Sequence, residues 1–181
     1  IGTGANATVG HGLEVAPAMI IVKNLDTTRS WRVYQKGVDA SAPEDYGLIL
    51  NDTTIRDNDN TAWNDTAPTS SVFSVGTSAT TNESLDNFIA YCFAPISGYS
   101  KFSSYIGNGN ADGTFVYTGF KPSFVLLKCS TDVESWVLFD NKRLGYNVAN
   151  DSLLPDTNAA ENTGNADLDL LSNGFKFRRN T

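Results

Sequence analysis

Short apolar runs separated by clusters of Asn, Asp, Thr, Ser and Gly recur from one end of the chain to the other, as in "AMIIVK", "WRVY", "YGLIL", "SSVFSV", "NFIAYCF", "SFVLLK" and "GFKF". No segment sustains the three- and four-residue apolar spacing of an amphipathic helix, so the pattern predicts an all-β protein with little helix. Met19-Ile20-Ile21-Val22 and Phe124-Val125-Leu126-Leu127 are apolar at consecutive positions, which suits strands covered on both faces or lying mid-sheet. Phe73-Ser74-Val75 and Phe175-Lys176-Phe177 alternate, as strands with one wet face do. Short strands between turn clusters imply an antiparallel β-sandwich or jelly roll.

The pattern is also written twice. Setting Ile1 against Ile106, an offset of 106 − 1 = 105, aligns residues 1–36 with 106–141 without a gap. Gly2, Gly4, Pro17, Lys23, Ser30 and Trp31 then meet Gly107, Gly109, Pro122, Lys128, Ser135 and Trp136. The order of glycine turn, proline, apolar strand, polar turn and Trp strand is the same in both. Two repeated β units are therefore expected, residues 1–105 and an incomplete unit 106–181, folding separately or as one compact domain. Trp31 and Trp136, each after Ser and before alternating apolar residues, read as core anchors.

The second unit reaches "GFKFRRNT" without an equivalent of "NFIAYCF", an uncharged run that reads as a central strand. The edge beside Phe175 and Phe177 is expected to be open or filled from elsewhere. A first residue of Ile rather than Met suits a piece of something longer, or a processed product.

Composition narrows the chemistry. A net charge of −7, with Lys and Arg scattered rather than gathered into a patch, disfavours nucleic acid, and the pair Arg178-Arg179 suits a solvated strand edge. No run approaches the ~18 apolar residues of a membrane-spanning helix. Cys92 and Cys129 sit inside apolar runs and suit either buried thiols or one disulfide. Asn-x-Ser/Thr triplets at Asn6, Asn51, Asn64, Asn82 and Asn150 are ordinary in a chain so rich in Asn, Ser and Thr.

The strings "IIVKNLDTTRSWRVY", "APTSSVFSVGTS", "FIAYCFAPISGYSKFSSYIGNGNADGTFVYTGFKPSFVLLK" and "DLLSNGFKF" resemble a repeated domain of bacteriophage tail-fibre-like and other virion structural proteins, many from marine samples. The resemblance spans nearly the whole chain. It implies a location and a role rather than a reaction: an extracellular virion component, contacting other virion proteins, with a homo-oligomer expected and a trimer favoured because phage fibres are commonly trimeric. It also implies that the second unit continues in an apolar strand equivalent to "FIAYCFA".

Candidate sites are few. His11 is the single histidine, and its counterpart in the second unit is Val116, or Thr118 with a two-residue insertion, neither of which moves a proton near neutrality. No nucleophile-elbow sequence supports a triad on it. In "RDNDNTAWND", residues 56–65, Asp57, Asp59 and Asp65 offer the hard oxygens that calcium prefers. There Trp63, with Asp59 and Asn60, offers a stacking face and polar contacts for a sugar. The stretch lacks the glycine and closing Glu of an EF-hand loop, and "NGNADG" likewise lacks the Glu. Carboxylates among Asp52, Asp57, Asp59, Asp65 and Glu83 can be paired on paper for glycoside hydrolysis, yet acidic loop residues usually arise without catalysis. The expectation is a non-enzymatic structural module without a cofactor, calcium being the one candidate. The alternative is a carbohydrate-binding module for attachment to host-surface glycans.

Overall fold

In the computed structural model, residues 1–143, 147–164 and 168–179 are described. They are mostly β, in several small antiparallel sheets, with little helix. The strands are β1 (Ala7–Gly10), β2 (Met19–Asn24), β3 (Arg32–Gln35), β4 (Tyr46–Ile49), β5 (Asp57–Asn58), β6 (Val72–Val75), β7 (Phe88–Phe93), β8 (Phe115–Tyr117), β9 (Phe124–Leu127), β10 (Val137–Asp140), β11 (Leu168–Leu171) and β12 (Gly174–Phe177). Single helical turns α1 (Asn60–Trp63) and α2 (Ala79–Asn82) interrupt them. The chain divides into two compact units, residues 1–95 with 130–134, and residues 96–129 with 135–181.

In the first unit, a five-stranded sheet of order β5-β4-β3-β2-β7 accompanies the β1-β6 pair. β2 runs centrally, with Met19 opposite Gln35 on one side and Phe93 on the other. Alternation along the strands sends Ile20, Val22 and Tyr34 inward, where they join Phe73 and Val75 of the β1-β6 pair. Ala62 and Trp63 of α1 complete this core. Asp59 starts α1 by accepting a hydrogen bond from the Thr61 N–H, and Asn64 ends it in the left-handed conformation.

In the second unit, the β9-β10 pair accompanies a sheet of order β11-β12-β8. Val125 and Phe139 from the pair meet Val116, Leu168, Leu170, Phe175 and Phe177 from the sheet in one buried cluster. Phe124 lies opposite Asp140, and the Asn141 N–H donates to the Ser123 carbonyl at 3.1 Å. The corresponding first-unit bond runs from the Lys36 N–H to the Ala18 carbonyl at 2.8 Å.

Four expectations need correction. β12 is central, with β8 on one edge and β11 on the other, so the edge beside Phe175 and Phe177 is paired by this chain itself. Residues 168–171 supply one of those two edges, joined to β12 as a hairpin. β7 lies at a sheet edge rather than centrally: among the described residues one side of it meets a strand, β2, and Ile89, Tyr91 and Phe93 project outward while Phe88 and Cys92 pack on the core. β9 is also an edge strand among the described residues, and its Phe124 is 57% exposed. Ser74 is buried, so β6 has no wet face. An uncharged run therefore marks a strand without marking its place in the sheet.

Candidate functional site

The stretch singled out for calcium and sugar has a structural task. Arg32 projects from β3 on the core-facing side and is only 3% exposed. A buried guanidinium requires counter-charge. Its Nη1 donates to Asp57 Oδ2 at 2.9 Å and its Nη2 to Asp59 Oδ2 at 3.2 Å. Gly47 makes room for the fork, since a Cβ there would fall 2.4 Å from the Arg32 Cζ. Asp59 meanwhile uses its other oxygen to cap α1, accepting from the Thr61 N–H at 2.9 Å.

Among the described residues no group of three or more His, Cys, Asp or Glu side chains is placed to hold a metal ion. Asp57 and Asp59 face a fixed cation, which disfavours a second one on electrostatic grounds. Asp65 follows α1 with φ 42°, as part of the turn that ends it. Trp63 is 2% exposed, against Tyr34 with ring centroids 6.0 Å apart at 72°. This corrects its reading as a sugar platform, because a ring inside the core offers no face to a ligand. Asn60 begins α1 next to it and is exposed.

The aromatic surface of the first unit lies elsewhere. On the outer face of its larger sheet, Trp31, Lys23 and Ile89 stand abreast just before β3, on β2 and on β7, and Tyr91 follows Ile89 one step along. The turn at residues 24–29 closes one end, leaving an open groove of about 460 Å³ lined by Trp31, Tyr91, Ile89, Lys23, Asp26 and Thr28 among others. Trp31 is half-buried, and Tyr91 is exposed.

The turn is held firmly. Asn24 Oδ1 accepts from the Asp26 and Thr27 N–H groups at 2.9 Å each, an Asx turn. Asn24 Nδ2 and Thr27 Oγ1 both donate to Asp86 Oδ2, at 2.7 and 3.0 Å. Lys23 Nζ donates to the Asn24 and Arg29 carbonyls at 2.8 and 3.0 Å. The groove is thus a preformed apolar floor with a rigid polar rim, a form suited to stacking a flat ligand rather than to proton transfer.

Trp136 contrasts with Trp31, being 4% exposed. His11 is largely surface-bound, with Nε2 3.2 Å from the Thr69 carbonyl and Nδ1 accepting from the Leu13 N–H at 3.2 Å. Cys92 and Cys129 are free thiols, and burial raises the Cys92 pKa. Sequence reading missed Arg32. The available signal was a lone charge two residues before Tyr34, which points to the core.

The family model described as a domain of unknown function, DUF7483, matches residues 1–181. The chain belongs to the DUF7483 family. No curated protein and no solved structure matches it. Membership accounts for the whole length of the chain and carries no reaction, ligand or source with it.

Proposed function

We propose that this DUF7483 chain is a non-enzymatic structural module of a virus particle, folded as two copies of one β-sandwich unit and displaying polar loops outward. The observation that carries the reading is the recurrence of strand register. Met19 opposite Gln35 and Phe124 opposite Asp140 differ by 124 − 19 = 105 and 140 − 35 = 105. Val33 opposite Leu48 recurs as Leu138 opposite Leu153 at that same offset. Even a side-chain contact recurs: the Trp31 N–H donates to Asn51 Oδ1, and the Trp136 N–H to Asp156 Oδ1.

The β1-β6 pairing of Val9 with Phe73 has its counterpart in Val116 with Phe175, at offsets of 116 − 9 = 107 and 175 − 73 = 102. Two small sheets sharing one apolar core in each unit support the sandwich form. A short β unit written twice suits an extended scaffold, because paired strands carry load while loops vary without disturbing the core. The particle assignment rests on the resemblance of the sequence to phage fibre-like and virion proteins. Antibodies against the folded chain are expected to decorate intact particles that contain it. Labelling seen only after particle disruption, or absence of the chain from purified particles, overturns the reading.

The Trp31 groove favours a second reading, attachment to surface glycans. Here the sugar contact is Trp31 with Tyr91 rather than Trp63. Glycan-array binding that is lost in Trp31→Ala and kept in Asp65→Ala supports it; an array on which the wild type is silent removes it.

A further inference from the structure

We propose that the chain associates with itself head to tail: the turn at residues 25–29 of one copy docks by its main chain on the loop at residues 158–161 of a second copy. The inference rests on the two-copy reading of the fold, and not on the particle or glycan readings.

The chain already makes this kind of contact once. Residues 130–134, the turn between β9 and β10, belong to the same compact unit as residues 1–95. There the Arg56 N–H donates to the Ser130 carbonyl at 3.0 Å, and the Glu134 N–H donates to the Thr53 carbonyl at 3.1 Å. Main-chain bonds at both ends of the turn thus hold it against the loop that leads from β4 to β5.

Both halves of the contact are built a second time. The loop is closed by Gly47 opposite Asp57, and again by Ser152 opposite Asn162, at offsets of 152 − 47 = 105 and 162 − 57 = 105. Within it the Thr54 N–H donates to Asp52 Oδ1 at 2.9 Å, as the Ala159 N–H donates to Thr157 Oγ1 at 3.2 Å. Equal length between the closing pairs and the same internal turn carry the path of residues 53–56 over to residues 158–161. The hairpin turn recurs as well. Val22 opposite Arg32 and Leu127 opposite Val137 enclose turns of equal length, and the chain bends at 25–27 as it does at 130–132.

The second set of groups is unused. At the same offset Leu25 and Arg29 stand for Ser130 and Glu134, and Asn158 and Glu161 stand for Thr53 and Arg56. Among the described residues nothing bonds the Leu25 carbonyl, the Arg29 N–H, the Asn158 carbonyl or the Glu161 N–H. Exposure follows the same division: Thr53, Arg56 and Ser130 are half-buried, whereas Asn158, Glu161 and Leu25 are exposed. Charge stays complementary with both signs exchanged, since Arg56 on the loop and Glu134 on the turn become Glu161 on the loop and Arg29 on the turn. Within the chain Arg29 and Glu161 hold only surface pairs, with Glu83 and Arg143, which cost little to share.

A turn from a second copy meets all of these demands together. Its Leu25 carbonyl accepts from the Glu161 N–H, and its Arg29 N–H donates to the Asn158 carbonyl. Turn complements loop and neither complements itself, so the contact is heterologous. So small a contact predicts weak association, visible only at high concentration.

Sedimentation equilibrium of the whole chain from about 5 to about 500 µM spans the range of such weak contacts. The average mass should rise reversibly with concentration. Arg29→Pro and Glu161→Pro each remove one donated N–H, from the turn and from the loop. Each should weaken association at least about tenfold, the loss of roughly one hydrogen bond's free energy. Mixed in equal amounts, the two variants should associate again and stop at dimers, because each pair then joins one sound turn to one sound loop. Arg29→Glu and Glu161→Arg keep the main chain and should each weaken association about threefold or more, while the chain carrying both recovers it. That second pair keeps the proposal testable if the proline variants lose the circular dichroism spectrum of the wild type. A wild type that is monomeric throughout, an association untouched by either pair of variants, or folded turn and loop variants that fail to complement each other each overturns it.

Discussion

β2 with β3 and β9 with β10 are hairpins of matching register that have come to different ends. In the first, Met19 is 9% exposed; in the second, Phe124 at the corresponding position is 57% exposed. The two tryptophans diverge in the opposite sense, Trp31 half-buried beside a groove and Trp136 within the fold. Register is a local property, decided by turn length and by which residues alternate inward. Burial depends on what the rest of the chain lays against the hairpin, and there the two units differ: β7 covers β2, whereas β11 goes to β12.

The strongest way to break this comparison is to truncate both tryptophans. Trp136→Ala empties a buried site and is expected to cost about 3–5 kcal/mol. Trp31→Ala removes a ring that is partly in water already and should cost about 1–2 kcal/mol. Urea unfolding of the two variants measures both. Equal losses would show that the half-buried ring is as integral to its unit as the buried one.

Much of the hairpin architecture was legible, and the reasons are physical. β-branched and aromatic runs between turn clusters mark strands, and the runs at 18–23 and 123–129 read as strands that the structure forms as β2 and β9. Sheet edges were not legible, because an uncharged strand such as "FIAYCF" reads the same whether one or both of its sides are paired. The polar stretch 56–65 misled for another reason. Asp57, Asp59 and Trp63 look like ligand-binding residues only while Arg32, a couple of dozen positions earlier in sequence, is out of sight. Once its guanidinium lies between the two carboxylates, the same residues read as counter-charges to a buried arginine, a helix cap and a core ring. The groove at Trp31 escaped notice because it is assembled from β2, β7 and a turn, which no linear motif records.

The ion pair gives the next largest effect, and it has no counterpart at the matching position of the second unit, where Val137 replaces Arg32. Asp59→Ala removes both the cap of α1 and one partner of a charge that stays buried. A loss on the order of 2 kcal/mol is expected, below that of a fully buried pair because Asp57 remains and Asp59 is itself about a quarter exposed. Asp57→Ala should cost clearly less, its side chain being about half exposed. Thermal unfolding of both variants ranks them; an Asp57 effect equal to that of Asp59 would mean that the cap contributes nothing.

Alkaline titration sharpens the picture of the first core. Burial, with the negative charge of Glu44 adding to it, pushes the Tyr34 phenol from 10.0 up to about 12. A folded value above the unfolded one means that this contribution to stability is whole below pH 10 and is lost as pH rises through 12. The loss should reach about 2–3 kcal/mol at the top of that window. Tyr34→Phe, which cannot ionise, should therefore lose less stability than the wild type between pH 10 and 12. Parallel pH profiles for the two proteins would show that the phenol is not what titrates.

The smallest effect is expected where the two units resemble each other most closely in local chemistry. Asp39 in the first accepts from the Ser41 and Ala42 N–H groups at 2.9 and 3.2 Å, and Asp140 in the second from the Lys142 and Arg143 N–H groups at 2.8 and 3.2 Å. Each also pairs with an arginine, Arg56 and Arg143 respectively. Main-chain N–H groups are the leading cause holding both carboxyls below the usual Asp value, and the arginines add to it. With a folded value depressed below 3.8, the stabilisation is present above that pH and is lost as pH falls through the folded value. Asparagine preserves the turn bonds and loses only the ionic part, which is screened at these sites. Asp39→Asn and Asp140→Asn should thus melt slightly below the wild type near pH 7, by similar amounts, and the gap should close under acid conditions where the carboxyls are protonated. Scanning calorimetry at both pH values checks this. A gap that persists in acid would trace the effect to the turn geometry instead of the charge, and unequal gaps would separate two turns that chemistry makes alike.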